Sequence, residues 1–137
     1  MQNIHETESL FYEMEGDLLI ATYKKGVRHV NRAMAEEIVA DRLAFQGGKP
    51  VHLLIQEMGG ADFSKEARAY FASENGIEGL LSIAILAKNW ITYGTASFIL
   101  SIQRPRVPTR IFRDRKDAME WLKKQMAIAR GVEKALR

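Results

Sequence analysis

Thirteen consecutive residues, Trp90 to Ile102, carry no charge and stand between two segments that read as β-strands. Taken as a helix, this stretch has no charged face to turn toward water. Its outer side is therefore expected to meet a ligand, a partner chain or a membrane surface. The run of apolar residues from Leu80 to Ile102 approaches the roughly 20 residues that span a bilayer. Lys88 and Asn89 cut it into two halves that are each too short, so no transmembrane span is expected. The charge-free stretch then becomes a crossover helix inside an α/β fold.

The neighbouring segments supply that fold. Ser9–Met14 and Leu18–Tyr23 flank Glu15-Gly16-Asp17, a short turn in which glycine can take positive φ, and read as an N-terminal hairpin. Asn31 is placed to cap a helix whose Ala35, Ile38, Val39 and Leu43 recur at helical spacing, and Gly47-Gly48 ends it. Val51–Ile55 and Ser82–Ala87 are short, apolar and rich in branched side chains, as strands covered on both faces are. Between them a loop, Gln56 to Phe63, leads to Ser64, a good N-cap for a helix that Asn75-Gly76 stops. Pro105 and Pro108 close the charge-free helix. Thr109–Phe112 is the last strand, and Asp114 caps a final helix with Ala118, Trp121 and Leu122 on its inner stripe. The order β-β-α-β-α-β-α-β-α predicts a central, mostly parallel sheet of four or five strands with right-handed crossovers and flanking helices.

Length and composition fit one domain, read as residues 1–125, with a basic C-terminal helical extension over 126–137. A chain of 137 residues buries enough surface to fold without staples, and it has no cysteine to form a disulfide or a thiolate site. The first eight residues include His5, Glu6 and Glu8 before any apolar run, unlike a secretory signal, and a cytoplasmic location is expected. Residues 1–101 hold 9 basic and 13 acidic side chains, and residues 102–137 hold 11 and 4, so a basic tail follows a mildly acidic body. No aromatic residues interleave with those cations in a nucleic-acid module, and nucleic acid is not the expected partner.

No catalytic motif stands out. His5, His29 and His52 lack ligand spacing, so no metal site is expected. A hydrolytic constellation would have to assemble from Ser64, His29 or His52, and a carboxylate such as Glu57 or Asp62. Gly59 and Gly60, close to the helix start at Ser64, could form a small anion site, but neither nucleotide-binding glycine pattern is present and no cofactor is expected. On a wheel of 100° per residue, Ile91, Thr95, Phe98 and Ile102, with Ile99 beside them, form a stripe predicted to lie on the sheet. Trp90, Tyr93, Gly94, Ser97 and Ser101 lie opposite and are the candidate partner or ligand surface. A homodimer, a ligand, or the chain's own C-terminal helix could cover it.

Asp41-Arg42-Leu43, the string Ser64 to Phe71, Arg104 to Thr109 with Ile111-Phe112, and Asp117 to Leu122 together resemble a group of uncharacterised bacterial proteins. Their fold is like that of the sporulation anti-sigma-factor antagonists, and they are described as STAS/SEC14-like or SpoIIAA-like. The resemblance implies a bacterial cytoplasmic setting and a regulatory or binding role rather than enzyme activity. In the antagonists a serine that opens the helix after the third strand is phosphorylated by a partner kinase and gates partner exchange. Ser64 occupies the similar place, although the antagonists' short Asp-Ser-Ser-Gly turn is replaced by the longer Gln56–Phe63 loop. A kinase or anti-sigma-like regulator is then the implied protein partner. The SEC14 side of the likeness implies instead a carrier of a small hydrophobic or lipid-like ligand.

Overall fold

The computed structural model describes residues 3–58 and 60–136. The N-terminal region forms β1 (Ile4–Glu6), β2 (Leu10–Glu15), β3 (Leu18–Tyr23) and β4 (His29–Val30), followed by α1 (Arg32–Gln46). The middle holds β5 (Val51–Gln56), β6 (Asp62–Phe63), α2 (Lys65–Ala72) and β7 (Leu80–Leu86). The charge-free helix α3 (Trp90–Ile102), β8 (Thr109–Phe112) and α4 (Arg115–Ala135) complete the chain.

A six-stranded sheet has the order β1-β2-β3-β5-β7-β8. The β1–β2 and β2–β3 pairs are antiparallel, and the three pairs from β3 to β8 are parallel. This is the mixed α/β architecture that the strand and helix alternation predicts. Two additions were not anticipated. β1 extends the N-terminal hairpin by one strand, and β4 pairs with β6 as a separate two-stranded ladder. Both are too short to show an alternating hydrophobic pattern. The loop Gln56–Phe63 thus ends in a strand, and His29 sits on a strand rather than in a loop.

The caps behave as their residue types dictate. Asn31 accepts from the Met34 N–H at 2.9 Å, Ser64 from Ala67 at 3.0 Å, Asn89 from Thr92 at 2.7 Å and Asp114 from Lys116 at 2.9 Å. Each side-chain oxygen satisfies an amide that the first helical turn leaves open. After α2 the chain turns so closely that a Cβ on Gly76 would sit 2.0 Å from the Tyr70 carbonyl oxygen, which only glycine tolerates.

Alternation along the strands sorts side chains to two faces. Leu18, Ile20, Leu54, Ala84, Leu86 and Phe112 pack against Ala118 and Leu122 of α4. Leu19, Ala21, Val51 and Leu53 face the other way, toward Ala35 and Ile38 of α1 and Ala67 of α2. Leu80 and Ile83 both join this second cluster although they are three residues apart. A register shift between Val51 and His52 accounts for it: Leu81 is the extra residue on β7 and is left 40% exposed. α4 continues without a break from Arg115 to Ala135, so the basic extension is the second half of this helix.

Candidate functional site

The side of the sheet away from α4 is not filled. A cavity of about 180 Å³ lies there, floored by Tyr12, Tyr23, Leu53, Ile55, Ile83 and Ile85. Ile38, Val39 and Arg42 of α1 form one wall, and Arg68, Phe71 and Ala72 of α2 form another. Met58 and Phe63, from the segment before α2, close a corner, where the Phe63 ring meets Tyr23 and Phe71 edge-on. The cover is α3, through Ala96, Ile99, Leu100 and, just past its end, Gln103. The surface is almost wholly apolar.

The orientation of α3 corrects the wheel reading. Ile91, Phe98 and Ile102, expected against the sheet, are 83%, 67% and 67% exposed, and Thr95 is exposed too. Trp90, Gly94 and Ser101 on the other expected face are also exposed, with Tyr93 and Ser97 half-buried. The arc that turns inward lies between the two and holds Ala96, Ile99 and Leu100. A helix without a charged residue has no strongly polar arc to orient it, so the wheel cannot choose. No residue of α3 is buried, and the helix rests on the molecule rather than in it. Arg113 anchors its start: the guanidinium stacks 3.5 Å from the centre of the Trp90 ring and donates to the Lys88 carbonyl at 3.2 Å.

Few polar groups reach the cavity. Arg42, at 4% exposure, donates to the Gln46 side chain and to the carbonyls of Glu78 and Gly76, the latter two at 2.9 Å. These bonds tie α1 to the turns before β7, and burial pushes the Arg42 pKa below its ordinary value. Arg68 donates to the Phe63 carbonyl at 2.7 Å. Burial also raises the pKa of Tyr12 and Tyr23, so both phenols stay neutral. Arg42 and Gln46 were missed as buried residues. The signal that could have found them is their place in the α1 stripe, one helical turn apart.

The predicted catalytic candidates do not assemble. Ser64 caps α2, on the α1–α2 side of the sheet. His52 shares a strand face with Leu54, on the α4 side, and its Nδ1 lies 2.7 Å from Ser82 Oγ. Both members of that pair are buried, and desolvation lowers the His52 pKa against the opposing pull of Asp17. His29 and Asp62 do meet, at 2.5 Å on the β4–β6 ladder, but they are exposed and no hydrogen bond joins either to Ser64. His5 stacks on the Phe45 ring. Gly60 is exposed in a turn, and Gly59 lies outside the described residues. No helix among the described residues is long and apolar enough to cross a membrane.

The fold is that of the SpoIIAA-like α/β domains. A crystal structure of an uncharacterized protein from Shewanella loihica PV-4, of the DUF3478 family and with a SpoIIAA-like fold, matches with a TM-score of 0.53 and 17% sequence identity. The match covers 87% of this chain and 89% of that one. The chain itself belongs to the family described as a domain of unknown function (DUF7793), whose signature spans residues 12–126. No curated protein matches it significantly.

Proposed function

We propose that this domain is a non-catalytic binder of a small apolar molecule, held between the sheet and α3. The cavity carries this reading. About 180 Å³ of almost wholly apolar space, open to solvent on one side, fits an apolar guest whose binding would take the lining away from water. A void of about 150 Å³ lined by aliphatic and aromatic side chains is dry and takes a benzene-sized guest. The cover is a helix without a buried residue, so opening it disrupts little packing. Titration of the protein with 1-octanol, followed by amide NMR, should shift signals of Ile83, Ile85, Ala96 and Ile99. Ala96→Phe, which fills the space from the cover, should abolish those shifts while the fold persists. Shifts scattered over the surface, or unchanged in Ala96→Phe, count against the reading.

A second reading has its own support in the exposed Ile91, Phe98 and Ile102. On it the domain is a regulator acting through protein contacts at α3, as a homodimer or with a kinase or anti-sigma-like partner, and gated at Ser64. Phosphate on Ser64 would sit at the α2 N-terminus, where open amides favour an anion. Light scattering of wild type against Phe98→Glu discriminates: a dimer that Phe98→Glu splits favours this reading, and a monomer in both removes the homodimer from it.

A further inference from the structure

The cavity's polar inventory is one-sided. Its lining includes two guanidinium groups, Arg42 and Arg68, and not one aspartate or glutamate. Neither arginine forms an ion pair among the described residues. Arg42 spends three of its five N–H groups on Gln46, Glu78 and Gly76, and Arg68 spends one on Phe63. Tyr23 also lines the floor. A buried cation is expensive, and around Arg42 the carbonyls and the more distant Glu78 carboxylate offset its charge without pairing with it directly. An apolar space whose lining holds two arginines with N–H groups to spare and no carboxylate is matched by a guest that is apolar along its body and anionic at one end. Arginine's planar fork suits a carboxylate in particular.

Resting on the apolar-ligand reading above, we infer that the ligand is a small monocarboxylic acid. Its body lies over Leu53, Ile55, Ile83 and Ile85, and its carboxylate is held by Arg68 and Arg42 at the α1–α2 wall. At about 180 Å³ the space suits a short acyl chain or a single ring rather than a two-chain lipid.

The test compares octanoate with 1-octanol, matched in chain length, by isothermal titration calorimetry at pH 7.5 on wild type and on Arg68→Met. Arg68 is the chosen site because it makes one side-chain hydrogen bond, whereas Arg42 clamps α1 to the β7 approach and its loss threatens the fold. The thermal unfolding midpoint checks that the variant is folded. Octanoate is expected to bind wild type at least tenfold more tightly than octanol, and Arg68→Met is expected to shrink that ratio below threefold. Equal affinities in wild type overturn the acid inference while leaving the apolar site standing. A preference that survives Arg68→Met undiminished overturns the assignment to the arginine wall. Binding of neither compound overturns the apolar-ligand reading itself.

Discussion

Two helices cover the same sheet in opposite ways. α4 presses Ala118 and Leu122, both fully buried, into Leu54, Ala84 and Phe112. α3 has no buried residue, only half-buried Ala96, Ile99 and Leu100 facing inward, shows Ile91, Phe98 and Ile102 to solvent, and covers an open apolar space. The contrast follows from composition. α4 alternates an apolar stripe with Lys116, Glu120, Lys123 and Lys124, so water fixes which side faces out. α3 has no such stripe, and its position depends on the chain ends that tether it and on the arginine stacked at its start. One side of the sheet is therefore densely packed, and the other is the side on which the proposed guest would sit.

The largest break in that comparison should come from the dense side. Leu54→Ala, at a fully buried residue, is expected to cost about 2–5 kcal/mol in denaturant unfolding. Gly76→Ala forces a methyl onto the Tyr70 carbonyl and should cost about 1–3 kcal/mol, by the same measurement. His52 gives a pH handle on the dense side. Its folded pKa is below the ordinary value of about 6.5, so below that pH the unfolded chain takes up a proton that the native state resists. Stability should fall as pH drops through about 6.5, and His52→Gln should flatten that part of the profile in thermal melts across pH 5–8. The smallest effect belongs to α3. Phe98→Ser removes an exposed ring and should change stability by less than about 0.5 kcal/mol.

Much of the fold was legible in residue pattern. The hairpin, the two central strands, the caps at Asn31, Ser64 and Asp114, and the crossover position of α3 all rest on local rules that tertiary packing did not override. β1, β4 and β6 were not legible, because strands of two or three residues are defined by their partners rather than by their own sequence. The orientation of α3 failed for a different reason. Hydrophobic periodicity reports the boundary between apolar and polar arcs, and this helix has no boundary to report. The cavity was invisible for a related cause: sequence shows that Leu53, Ile55, Ile83 and Ile85 are apolar, but not that Ala96 stands too far off to fill the space above them. The arginine wall was within reach. Arg42 falls in the helical stripe with Ile38 and Val39, and a charge at such a position points to either a clamp or a site.

Amide hydrogen exchange on wild type, with and without saturating 1-octanol, tests most directly whether α3 is a cover over a binding space. The α3 amides are expected to exchange fastest among the four helices and to gain protection with the alcohol, while those of α4 over Ala118–Leu122 do not change. Protection of α3 equal to that of α4, and unmoved by the alcohol, would contradict that role.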